Sequence, residues 1–152
     1  LDIYMSSVSN KMNEVMKEAV EQAKEIVDEK GLEIKADYPE EKVEVRGGPL
    51  LNQVFFNILG NAIQHSEGSK ARIFVKNTGK EVICTIEDDG KGIPDEEKDK
   101  IFDRGYTTDE ERGTGLGMFL VRTLLDIYGG TVKVKDSEMG GARFDVCLKG
   151  CD

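Results

Sequence analysis

Between about Pro49 and His65, the apolar residues Leu50, Leu51, Val54, Phe55, Ile58, Leu59, Ala62 and Ile63 nearly surround a helix. A helix that is apolar around most of its circumference has to be buried deeply, so the rest of the chain must wrap it. With 152 residues the chain is one domain by size, large enough to bury a real core. Two further helices are available for packing. Met12, Val15, Met16, Ala19, Val20, Ala23, Ile26 and Val27 repeat at helical spacing, with Ser9 or Asn10 placed to cap the start and Gly31 the end. The other runs from about Thr114 to Tyr128 and stops at Gly129-Gly130.

The segments between the helices alternate in pairs. Leu32, Ile34 and Ala36, then Val43 and Val45, predict two short strands around a polar link at Tyr38–Lys42. Ala71, Ile73 and Val75 precede a turn at Asn77–Lys80, and Val82, Cys84 and Ile86 alternate after it. Strands follow near 131–136 and 142–148. The order αββαββαββ predicts hairpins and an α+β class, most economically a two-layer sandwich. Residues 1–9 carry no pattern and read as a tail before a domain spanning 10–152, and a chain opening on Leu1 reads as a piece cut from something longer. Residues 88–113 hold four Gly, one Pro and many charges, too long a stretch for an ordinary connection, and read as a functional loop.

Charge and composition remove several functions. The chain has 21 Lys and Arg against 30 Asp and Glu, a net charge of −9, which argues against a nucleic-acid surface. No apolar run approaches the ~18 residues of a membrane span, so direct membrane contact by this domain is not expected. Cys84, Cys147 and Cys151 stand in no metal-ligand spacing, and a reducing, cytoplasmic setting fits them. The single histidine, His65, excludes a His-based metal cluster.

Three segments carry chemistry. Gln53, Asn57, Asn61 and Gln64 form a stripe of amides down the otherwise apolar second helix. They read either as buried amides bonding to nearby backbone or as a polar ligand site, where an amide oxygen suits Mg²⁺ already carrying phosphate. Asp88-Asp-Gly-Lys-Gly-Ile-Pro94 sets a carboxylate at a strand end before two glycines, which is either an acidic turn or a seat for a flat ligand. There Asp88 could accept from the exocyclic amine of adenine, while guanine would present a repelled carbonyl. Gly113-Thr-Gly-Leu-Gly117-Met118 opens the third helix as a hinge and cap or as a phosphate cradle of free N–H groups. Between them, Ile101-Phe102 could anchor a loop from which Lys98, Arg104 or Arg112 reaches an anion.

In this order the segments resemble the catalytic and ATP-binding domain of sensor histidine kinases, in the superfamily shared with Hsp90, DNA gyrase and MutL. Asn57-Ile-Leu-Gly-Asn61-Ala-Ile-Gln-His65 resembles the N box, Asp88–Pro94 the first glycine box, Ile101-Phe-Asp-Arg104 the F box, and Gly113–Gly117 the second glycine box. Gly140-Gly-Ala-Arg-Phe144 resembles the short glycine motif near the domain's end. The resemblance implies three helices behind a mixed, mostly antiparallel sheet of about five strands, with ATP or ADP under a mobile lid at 101–113.

It also implies the site. Asn61 would ligate Mg²⁺ and act with Asn57, on the phosphate side, as the catalytic pair. Asp88 would read adenine, with Gly90, Gly92, Ile93 and Ala142 at the base. Ile101, Phe102, Arg104, Tyr106, Thr107 and Thr108 belong to the lid side. Gly113, Thr114, Gly115, Leu116, Gly117 and Met118 would hold phosphates. His65 falls on the pocket wall, and Gln64 stands where the family often has Lys, a contact that Arg104 or Arg112 would replace.

The activity implied is transfer of the γ-phosphate of Mg-ATP to a histidine on a separate helical dimerisation domain, with a response-regulator receiver domain downstream. Residues 1–9 contain no histidine to accept it. The implied location is cytoplasmic, whether or not the parent protein is anchored in a membrane. The alternatives are a self-contained ATPase, an anti-sigma-type protein serine kinase, and a nucleotide-binding module without catalysis. Hydrolysing relatives carry Glu where this chain has Asn57, which cannot act as a base.

Overall fold

The structure, a computed structural model, describes residues 8–27, 31–65, 68–106 and 117–151. Its helices are α1 (Met12–Val27), α2 (Leu51–His65) and α3 (Gly117–Tyr128). As the apolar pattern requires, α2 lies in the middle, packed on α1 and α3 and against the sheet, with Leu51, Val54, Phe55, Ile58 and Leu59 fully buried. Gly31, at φ 70, ends α1 and donates its N–H to the Val27 carbonyl at 3.2 Å.

The main sheet runs β2-β4-β5-β7-β6, from β2 (Glu33–Asp37), β4 (Lys70–Asn77), β5 (Glu81–Asp88), β6 (Thr131–Asp136) and β7 (Ala142–Lys149). Its register turns strand alternation into two unlike faces. Ala36, Ile73, Ile86, Phe144 and Val134 pair across five strands into one apolar row beneath the helices. One residue on, Lys35, Arg72, Glu87, Arg143 and Lys135 form a charged row on the other face. The α+β two-layer sandwich expected from the sequence is the observed architecture.

Two of the expected hairpins form, β4–β5 and β6–β7. The first pair does not. β2 joins the sheet edge parallel to β4, and β3 (Glu44–Gly47) pairs antiparallel with β1 (Val8–Lys11) in a separate ribbon. Val8 and Ser9, without pattern in the sequence, thus sit in a strand. Asn10, in the same strand, does not cap α1: its side-chain amide donates to the Gly48 carbonyl at 3.1 Å. The ribbon is tied to the end of the chain by the Cys151 N–H, which reaches the Glu44 carbonyl at 2.9 Å.

Candidate functional site

Strand parity places Asp88. Val82, Cys84 and Ile86 face the helices, so the next residue in phase, Asp88, faces the same side where β5 ends, and it is only 4% exposed. Its Oδ1 accepts the Gly90 N–H at 2.9 Å and the Ala142 N–H at 3.3 Å, and its carbonyl accepts the Gly141 N–H at 3.1 Å. Among the described residues, both side-chain bonds fall on Oδ1. Burial pushes this carboxyl above the ordinary Asp range; the N–H bonds from Gly90 and Ala142 oppose that rise, and the charges of Asp89 and Glu87 add to it.

The surroundings are stripped of side chains. A Cβ on Gly141 would lie 2.0 Å from Asp88 Oδ1, so only glycine lets that backbone close over the carboxylate. Gly92 sits at φ 73 with Gly141 beside it, and Ile93 is half-buried against the core. Ala142, buried, opens β7. The turn that delivers Gly141 and Ala142 is itself held. Ser137 Oγ donates to the buried Glu87 at 2.9 Å, the Ser137 N–H reaches the Gly141 carbonyl at 2.7 Å, and the Met139 N–H returns to Ser137 Oγ at 2.9 Å.

The amide stripe divides its work. Gln53 Nε2 donates to Asn57 Oδ1 at 2.8 Å, and Asn57 Nδ2 donates to the Gly117 carbonyl at 3.2 Å. Asn57 therefore fastens α2 to the first residue of α3. The side chain of Asn61, one turn further on and half-buried, has no hydrogen-bond partner among the described residues, so its amide oxygen is uncommitted among them. Such an oxygen suits a hard cation that brings phosphate oxygens of its own. No group of three His, Cys, Asp or Glu side chains among the described residues could hold a metal by itself.

The F-box residues Ile101 and Phe102 are core residues, 6% exposed each, and the Phe102 ring meets Phe144 edge-on at 6.5 Å. Tyr106 is half-buried and donates its hydroxyl to Glu97 at 2.9 Å, while Arg104 is exposed. Lys98 is not free for an anion: it pairs with Asp95 and with Asp136, the latter at 2.7 Å. Gly117 and Met118 begin α3. Thr107, Thr108, Arg112, Gly113, Thr114, Gly115 and Leu116, with most of the expected lid and the side chains of Gln64 and His65, lie outside the described residues.

Sequence reasoning missed Glu87, Ser137, Ser69 and Asp89. Asp89 accepts the Ser69 N–H at 2.8 Å, the Ser69 hydroxyl at 2.8 Å and the Lys70 N–H at 2.9 Å. The Lys70 N–H and the Ser69 hydroxyl hold its carboxyl below the ordinary range. A parity signal was available: Asp88 continues the apolar phase of β5, whereas Asp89 follows the strand's end and has local backbone to bond.

Several known proteins are similar to this chain over most of its length. The sensor protein KdpD of Clostridium acetobutylicum is 34% identical over 140 residues, covering 88% of this chain; the chain spans only 15% of KdpD's length. The ATP-binding domain of PrrB from Mycobacterium tuberculosis superposes with a TM-score of 0.78 at 25% identity, covering 95% of this chain and 98% of that one. The histidine kinase ThkA, solved in complex with the response regulator TrrA, gives a TM-score of 0.78 at 24% identity over 95% of this chain and 42% of that one. No helix among the described residues is long and apolar enough to cross a membrane. The family model described as histidine kinase-, DNA gyrase B- and HSP90-like ATPase matches residues 48–150, and with the buried Asp88, the amide-bearing α2 and the sandwich that joins them, the chain belongs to that family.

Proposed function

We propose that this chain binds Mg-ATP and presents its γ-phosphate to a histidine on a helical dimerisation domain, as the catalytic domain of a two-component sensor kinase. The observation that carries the reading is Asp88, a buried carboxylate with Oδ1 held by two backbone N–H groups and glycine backbone closing over it. Oδ2 then accepts from the exocyclic amine of adenine, and guanine, with a carbonyl at that edge, is rejected. Gly90, Gly92 and Gly141 let a flat base approach backbone, and Ile93 supplies an apolar wall.

Asn61 is the residue to hold Mg²⁺, which when bound neutralises phosphate charge. Asn57 acts through the fold, keeping the start of α3 against α2. Residues 113–118 supply backbone N–H groups to the phosphates, and the positive end of α3 favours the anion. Catalysis by these residues is placement and charge stabilisation, with no covalent step on this chain. The protein serine kinase and ATPase readings share the pocket; Asn57 supplies no general base for water. The response regulator seated on ThkA supports a receiver domain as the downstream partner, with the domain on the cytoplasmic side.

The test is a calorimetric titration with ATP and GTP, each with and without Mg²⁺, followed by phosphotransfer to a separately supplied helical His domain. Selective, Mg²⁺-sensitive ATP binding and a labelled histidine are expected. Equal affinity for GTP would remove Asp88 from base recognition, and a labelled serine in place of histidine would favour the anti-sigma-type reading.

A further inference from the structure

We infer that Asp89 is a positioning residue for the nucleotide pocket, acting through a clasp that locks residues 68–70 onto the strand end that holds Asp88. This rests on the reading of the pocket as an ATP site. Only residues 66–68 separate His65, the end of α2, from Ser69. Ser69 and Lys70 give three hydrogen bonds to the Asp89 carboxylate, and the Asp89 N–H returns one to the Lys70 carbonyl at 3.2 Å. The backbone at Gly68 also approaches the same join closely. A Cβ on Gly68 would stand 2.3 Å from Asp89 Oδ1 and 2.7 Å from the Gly90 nitrogen.

The Gly90 N–H is one of the two donors that fix Asp88 Oδ1. The clasp therefore sets the direction of the adenine-reading carboxylate through Gly90. Asp89 faces away from the apolar phase of β5, so its contribution to the pocket is made through Gly90 and the 68–70 link.

The discriminating measurement is the ratio of ATP to GTP affinity, read beside the melting temperature on the same preparations. Asp89→Ala removes all three side-chain acceptor bonds and, by releasing Gly90, is expected to lower that ratio by roughly tenfold. Asp89→Asn keeps Oδ1 for the two N–H groups and lets Nδ2 meet the Ser69 hydroxyl, so it should restore the ratio to within about threefold of wild type on the same scale. Gly68→Ala should reproduce the loss with the carboxylate intact. A role confined to stability would lower the melting temperature and leave the ratio alone. Where Asp89→Ala does not fold, Ser69→Ala, which deletes one bond, carries the comparison with a reduction of about threefold expected.

Selective wild-type binding with an unshifted ratio in the Ala variants would overturn the inference and leave the functional reading standing. An Asn variant as defective as Ala would also overturn it, because geometry alone would not be the cause. Wild-type protein that bound neither nucleotide would instead refute the functional reading beneath it.

Discussion

Asp88→Asn separates the proposed recognition role of this carboxylate from its place in the fold. Oδ1 accepts the Gly90 and Ala142 N–H groups at 2.9 and 3.3 Å, and an Asn oxygen in the same position keeps both. Only Oδ2 changes, from an acceptor to an NH₂ donor, which in the proposed binding mode faces the amine of adenine. The loss is one charge-assisted hydrogen bond, about 1.5–3 kcal/mol, or roughly 10- to 150-fold in Kd for ATP. Stability should move the other way. Because burial raises the Asp88 carboxyl, the folded chain holds that proton to higher pH than the unfolded chain. Stability is therefore lost as pH rises from about 3.9, the unfolded value, through the raised folded value. The Asn variant escapes that loss. It should melt no lower than wild type at neutral pH, and its advantage should shrink as pH falls below about 4. Calorimetric titration and a melting series across pH read the two effects separately. Unchanged ATP affinity, or weak binding accompanied by a large drop in melting temperature at neutral pH, would refute the reasoning.

Asn61→Ala should abolish phosphotransfer and bring the ATP affinities with and without Mg²⁺ together, as titrations in the two buffers would report; surviving Mg²⁺ dependence would move the metal elsewhere. Phe102→Ala removes a buried ring and its edge contact with Phe144, for a cost of about 3–5 kcal/mol by denaturant unfolding. On the acid side, the Lys70 N–H and the Ser69 hydroxyl depress Asp89. Asp145 is depressed too: against the upward push of its own burial, bonds from Thr85, Arg143 and Lys135 prevail. Their stabilisation is complete above the ordinary Asp value of about 3.9 and is lost as pH falls through the lower folded values. Wild type should therefore lose stability over that window more steeply than Asp89→Asn, which an acid melting series would show.

The periodicity of the chain determined most of what is local. The apolar circumference of residues 50–63 placed α2 at the centre, and alternation in 71–75, 82–86 and 142–148 gave the central strands and their core face. Asp88 was legible as a candidate because it stands at a strand end before two glycines, and Ile101-Phe102 as an anchor because two large apolar residues interrupt a charged stretch. Pairing was not legible where strands were short. Ile34 and Ala36 fit an edge strand of either direction, and only the assembled fold set β2 parallel to β4 and β3 against β1. The bonds that complete the site were hidden for a related reason. Ser137 meets Glu87 and Ala142 meets Asp88 across 50 and 54 residues, and Asn57 reaches Gly117 across 60. Hydrophobic period decides which face of an element is buried, because burial acts on each residue through its own phase. Which polar groups then meet at the ends of those elements is decided by sheet register and helix packing, which bring together atoms that no local pattern relates.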